Sequence, residues 1–173
     1  DQCYYEQPSM GSTLYAIEIP DEGGNTLFAS CIKAYDALPD DWKQRIEGLR
    51  ALNYYDYARN PTMRPDDVNP DVPQWTHPVV RVHPETGKKA IYVNRLMSIL
   101  IEGLPAEESD EILNYLFDHI EKPEFVYEHV WTVGDMMMWD NRCSVHARTY
   151  FSPEKRRMMR RVTVRDAIPF AAA

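Results

Sequence analysis

The stretch Trp139–Val164, WDNRCSVHARTYFSPEKRRMMRRVTV, decides how the rest of the chain is read. It carries one histidine, His146, just after a polar turn, then Arg157 eleven residues later and Arg161 four beyond that. Residues Lys155 to Arg165 are rich in Met and Val and have no helix cap, which predicts a strand. Side chains an even number of positions apart share one face of a strand, so Arg157 and Arg161 are expected to point the same way. At a rise of ~3.3 Å per residue they would stand about 13 Å apart, leaving room for two anionic groups. A histidine strand followed by an arginine strand can hold a metal beside a carboxylate-bearing ligand. The same residues have plainer readings. A lone histidine is more often a satisfied core or surface side chain than a ligand, and a Lys/Arg-rich strand can be a solvated edge whose charge discourages unwanted pairing. On this stretch alone the plainer reading is the commoner outcome.

With 173 residues the chain can form one domain with its own core. A content of 44% hydrophobic and 27% charged residues is that of an ordinary soluble globular protein. The net charge of −8 speaks against nucleic acid as a partner, because phosphate binding wants a basic face. No apolar run nears the ~20 residues of a membrane-spanning helix, and no signal-peptide pattern opens the chain, so no membrane partner is expected. Cys3, Cys31 and Cys143 are odd in number and widely spaced. They predict neither a disulfide framework nor a zinc cluster, and hence a reducing, cytoplasmic setting.

Working outward, Gly11 to Ile19 (GSTLYAIEI) reads as a strand, Glu22-Gly23-Gly24-Asn25 as a turn, and Thr26 to Ser30 as the returning strand. Cys31 to Leu38 reads as a short helix. A second opens near Pro39-Asp40-Asp41 and puts Trp42, Ile46 and Leu49 on one face. Residues 50–57 read as a strand. Residues 59–75, rich in Pro and Asp, read as a long loop expected to lie over an active site. Residues 77–82 and 89–94 form a hairpin about Pro84-Glu85-Thr86-Gly87. Pro105 to Glu121 is helical, with acids first and a core-facing stripe of Ile112, Leu113, Leu116, Phe117 and Ile120. Phe125 to Trp131, Asp135 to Trp139 and Ser144 to Ala147 complete the strands, with Met136-Met137-Met138 taken as strand core. His77, His83, His119 and His129 lack ligand spacing and read as structural or exposed. There is no βαβ alternation, Gly-rich phosphate loop or nucleophile elbow. The expected fold is mostly β with helical insertions, an antiparallel sandwich or barrel.

The chain also resembles a known family. The Thr13–Pro20 strand, GGNTLFAS (23–30), HPVVRVHPETGKKAIYVN (77–94), EKPEFVYEHVW (121–131) and WDNRCSVH with RRMMRR are individually weak and specific in this order. Together they are similar to the TauD/TfdA family of Fe(II)- and 2-oxoglutarate-dependent dioxygenases. The resemblance implies a double-stranded β-helix (jelly roll) as a single domain over 1–173, incomplete at the N-terminus. It implies Fe(II) held by two histidines and one carboxylate, with positions left for 2-oxoglutarate and O₂. Asp1 falls on the carboxylate of a His-X-Asp motif whose histidine would lie two residues earlier, and His146 falls on the distal histidine. Arg157 falls on the arginine that pairs with the far carboxylate of 2-oxoglutarate, ideally as a bidentate fork. Thr26 falls on the threonine whose hydroxyl holds the same cosubstrate. Arg161 falls on an arginine that, in taurine oxygenases, meets the anionic end of the substrate. Gln2 and Tyr4 fall where the family lines its substrate pocket, with core packing an equal reading for Tyr4. Cys3 either lines that pocket or is a buried, inert thiol. Family members are longer than this chain, and usually carry a longer segment between Tyr57 and Gln74.

The implied activity is hydroxylation of a small organic anion, such as a sulfonate or aryloxyalkanoate, with release of succinate and CO₂. The alternative is a non-catalytic jelly-roll binding protein of the same descent. The joint presence of Asp1, His146, Arg157 and Thr26 argues against it, since a scaffold without cosubstrate has no use for both the arginine and the threonine. A homo-oligomer would be ordinary for the family.

Overall fold

The computed structural model describes residues 1–55 and 68–165, and strands predominate in them. β1 (Ser9–Glu18) turns Ser12 and Ala16 inward and leaves Tyr15 and Ile17 exposed, the alternation its pleat requires. It pairs on one side with β11 (Met158–Arg165) and on the other with β9 (Met136–Asp140). A second sheet places β2 (Thr26–Ser30) between β8 (Val126–His129) and β10 (Ser144–Arg148). A third places β3 (Arg50–Tyr54) between β4 (Gln74–Pro78) and β7 (Ser98–Ile101). β5 (Val80–Val82) and β6 (Lys89–Ile91) form the expected hairpin. Every pairing among these strands is antiparallel, so the mostly-β reading with helical insertions holds.

Three α-helices occupy the connections among the described residues. α1 (Cys31–Asp36) starts where β2 ends, with the Ser30 hydroxyl accepting from Lys33 N at 3.3 Å as its cap. α2 (Asp40–Ile46) begins with two aspartates, where the helix dipole favours acids. α3 (Ala106–Ile120) buries all five residues of its predicted stripe. That stripe packs with Ala34, Ile46, Val79, Ile91 and Ile101 into the main core. No helix of the described residues is long and apolar enough to cross a membrane.

Four expectations need correction. Met136 and Met138 are 69% and 68% exposed, not core: consecutive strand residues cannot all face inward, and β9 is an edge strand. The strand expected from Lys155 begins at Met158, so Arg157 precedes it and the shared-face argument linking it to Arg161 fails. Gln74 and Trp75, assigned to the 59–75 loop, belong to β4, and residues 59–67 of that loop lie outside the described residues. Leu49 lies beyond the end of α2 rather than on its face. β7 was not legible, because its three apolar residues after Ser98 form too short a run to show any alternation.

Candidate active site

The site is assembled where the β1–β2 turn meets the loop before β11. Gly23 and Gly24 both have φ near +70°, at 70° and 68°. A Cβ on Gly23 would overlap the Tyr150 carbonyl oxygen, and one on Gly24 would press on Arg157 Cδ at 3.2 Å. Glycine is therefore needed at both positions for the loop to close. Asn25 and Thr149 stitch the two segments: Asn25 N donates to Thr149 Oγ1 and Thr149 N to Asn25 O, both at 2.9 Å.

This closure seats Arg157, whose Nε donates to Gly24 O at 2.9 Å. Burial, and then the neighbouring Arg148, lower the pKa of the Arg157 guanidinium. Arg148 lies over the Phe151 ring at 4.5 Å. Among the described residues neither arginine has a carboxylate within ion-pair distance. Two neighbouring cations without an acid make a place for an anion.

Thr26, at the start of β2, sits opposite Arg148 on one side and His129 on the other. It is buried, and its Oγ1 accepts from Trp131 Nε1 at 3.0 Å. An indole N–H can only donate, so the threonine keeps its own hydroxyl hydrogen for another acceptor.

Asp1 and His146 come together from opposite ends of the described chain, with Nε2 3.7 Å from Oδ1. His146 lies on β10 opposite Phe28, with its ring centroid 4.8 Å from that of Trp139. Burial, and then the nearby Arg161 guanidinium, push its pKa down. The ring is thus neutral near pH 7, the state in which it can ligate a metal. Asp1 Oδ2 accepts from Ser12 Oγ at 2.6 Å and also pairs with Arg161 Nη2. Two metal–ligand bonds of about 2.1 Å can span up to about 4.2 Å, so the Asp1–His146 separation suits one shared cation. A neutral imidazole and a carboxylate are two of the three donors that a 2-His-1-carboxylate iron site uses. Among the described residues no third His, Cys, Asp or Glu joins this pair.

His83, Asp140 and Cys143 also present potential ligand atoms within 4.8 Å of one another. Here Asp140 is already taken, by Arg142 at 2.7 to 3.1 Å and by His83 Nε2 at 3.0 Å, while Arg142 Nη1 also meets Glu85 at 2.9 Å. The cluster is an ion-pair network tying the β5–β6 hairpin to the β9–β10 turn.

The remaining predicted residues fall differently. Arg161 reaches the Asp1 carboxylate. Gln2 is held by Ser9 Oγ, which donates to its Oε1 at 2.5 Å, and it adopts φ 57. Tyr4 packs with Cys3 and Met97 in a small buried cluster, its ring 4.7 Å from those of Tyr5 and Tyr55. Burial raises the Cys3 thiol pKa, and its S–H points to Met97 Sδ at 3.4 Å. Sequence reading missed Ser12, Trp131, Asn141 and Arg148. Trp131 alone carried a signal, since a buried indole N–H needs an acceptor, but its partner lies 105 positions away.

A family profile described as "Taurine catabolism dioxygenase TauD, TfdA family" matches residues 1–163. The chain belongs to the TauD/TfdA family. The alpha-ketoglutarate-dependent 2,4-dichlorophenoxyacetate dioxygenase of Burkholderia sp. (strain RASC) is 36% identical over 166 residues, covering 94% of this chain and 56% of that protein. Pentalenolactone F synthase of Streptomyces avermitilis is 36% identical over 178 residues, covering 94% of this chain and 58% of its own length. Among solved structures, AAD-2 in complex with Mn(II) and N-oxalylglycine superposes with a TM-score of 0.88 at 32% identity, covering 98% of this chain and 68% of the other. This TauD/TfdA chain therefore spans little more than half the length of the curated relatives it matches.

Proposed function

We propose that the protein is an Fe(II)- and 2-oxoglutarate-dependent dioxygenase that hydroxylates a small organic anion. Its catalytic domain would be a single double-stranded β-helix (jelly roll) that includes residues 1–173. The observation that carries this reading is the meeting of Asp1 and His146 at 3.7 Å beside the acid-free cation pair of Arg148 and Arg157. Asp1 and neutral His146 are this chain's two donors to iron, and the third is expected from a histidine two positions before Asp1. When bound, the iron supplies, with O₂ and the keto acid, the oxidising chemistry that converts 2-oxoglutarate to succinate and CO₂.

The chain's own residues orient the reactants. Arg157, anchored through Nε on Gly24 O, presents its terminal amino groups as a fork to the far carboxylate of 2-oxoglutarate. Thr26 donates its hydroxyl hydrogen to the same carboxylate, its oxygen being turned by Trp131. Relatives named for 2,4-dichlorophenoxyacetate and for (S)-phenoxypropionate support an aryloxyalkanoate or a similar anion as substrate. Arg161, beside Asp1, is the side chain to receive its charge. Three free cysteines accord with a reducing, cytoplasmic setting.

The test is succinate formation from 2-oxoglutarate by the intact protein, with Fe(II), O₂ and a panel of aryloxyalkanoates and sulfonates. Succinate that rises with one substrate class supports the reading. No succinate with any member, in protein that is folded and iron-loaded, would replace it with a non-catalytic binding module.

A further inference from the structure

Behind Asp1 runs a chain of buried hydrogen bonds whose direction the chemistry fixes. Trp139 Nε1–H can only donate, and it reaches Asn141 Oδ1 at 2.8 Å. That orients the Asn141 amide, so its Nδ2 donates to Ser12 Oγ at 3.0 Å. The Ser12 hydroxyl, accepting there, gives its own hydrogen to Asp1 Oδ2 at 2.6 Å. Trp139, Asn141 and Ser12 are 8%, 3% and 1% exposed, so water cannot replace any of these bonds freely. All three donors point toward the carboxylate, and each bond polarises the next.

The sheet builds this relay. Ser12 on β1 lies directly opposite Trp139 on β9. The Asn141 backbone N–H is pinned to Met10 O at 2.8 Å, which holds its side chain beside Ser12. The Trp139 ring that starts the relay is the one packed against His146. Both donors of the candidate iron pair are thus braced by one indole.

We infer that Ser12 and Asn141 are positioning residues for the metal site, acting through Asp1. The relay holds Oδ2, which also carries Arg161, and leaves Oδ1 as the single oxygen facing His146 Nε2. A carboxylate without this hold could rotate, or offer both oxygens to the metal. The inference rests on the dioxygenase reading above and adds residues to it that take no part in holding cosubstrate.

The experiment uses Co(II) as the probe, titrated into the intact, metal-free protein without 2-oxoglutarate and followed by its visible absorption. Wild type, Ser12→Ala and Ser12→Thr are compared, together with the thermal midpoint of each metal-free form and the KM for 2-oxoglutarate at saturating Fe(II). Loss of the hydroxyl should weaken Co(II) binding roughly 10- to 100-fold, as is usual for groups that orient a metal ligand. Ser12→Thr, which keeps the hydroxyl, should retain most of the affinity. The KM should stay as in wild type, and the metal-free midpoint of Ser12→Ala should fall only by the few degrees expected for one buried hydrogen bond. Unchanged Co(II) affinity in Ser12→Ala overturns the relay while leaving the dioxygenase reading intact. Parallel losses in metal affinity, thermal midpoint and KM would mark a merely structural role and overturn it too. A wild-type protein that binds no Co(II) overturns both.

Discussion

Around α3, charged side chains are matched with one another: Arg95 meets Glu121 at 2.9 Å and Asp118 at 2.7 Å, and Arg45 meets Glu111 at 2.8 Å. Beneath them Leu116 and Phe117 are almost wholly excluded from water. Around β2 and β10 the pattern reverses. Arg148 and Arg157 stand together with no acid in reach among the described residues, and Thr26 keeps a hydroxyl hydrogen to give. The first region satisfies its polar groups internally and owes its stability to apolar burial, since exposed ion pairs contribute little. The second leaves like charges side by side, an arrangement that costs stability unless something anionic enters. Stability and the candidate site thus draw on different parts of the same small fold.

That contrast can be broken most severely at the core. Leu116→Ala should destabilise the protein by about 2–5 kcal/mol in urea unfolding, while the affinity of the folded fraction for 2-oxoglutarate holds. Arg157→Ala should do the reverse. Losing a fork to a carboxylate should weaken 2-oxoglutarate about 100-fold, or ~3 kcal/mol, seen in KM or calorimetry. Its unfolding midpoint should stay level or rise, because a like-charge neighbour of Arg148 is removed.

Acid probes a buried histidine outside both regions. His77 is buried with Nε2–H donating to Tyr5 O at 2.8 Å, and burial pushes its pKa down to about 4 from 6.5. The folded state thus prefers the neutral ring. Its contribution is complete above pH 6.5 and declines as pH falls toward 4, by about 3 kcal/mol in all. Urea midpoints at pH 7 and pH 4 should show that fall, and His77→Gln should lack this part of it. The smallest effect belongs to Trp131→Phe, which removes the indole N–H from Thr26. About 1 kcal/mol of cosubstrate affinity should go with it, read as a modest rise in KM.

Much of the scaffold was legible in the sequence because local patterns dictate it. The α3 stripe repeats at helical spacing and lands in the core, and Gly23-Gly24 marks a turn that only glycine can make. Where one face is not fully buried, pattern alone misled: three consecutive methionines read as core, yet an edge strand turns Met136 and Met138 outward. The charged residues of the candidate site were named through resemblance, but its supporting contacts were not legible in the sequence. The Ser12–Asn141 bond joins residues 129 positions apart, and only the β1–β9 register brings them together. Likewise Tyr4 follows Asp1 closely in sequence but is packed on Met97, which no local pattern announces.

The most direct test is calorimetric titration of 2-oxoglutarate into the intact protein without O₂, with and without Fe(II), for wild type, His146→Ala and Arg157→Ala. The account predicts tight binding to iron-loaded wild type, with strong weakening when the metal is withheld or either residue is replaced. Binding of equal strength in the metal-free protein, or in iron-loaded Arg157→Ala, would contradict a site that grips the cosubstrate at both ends.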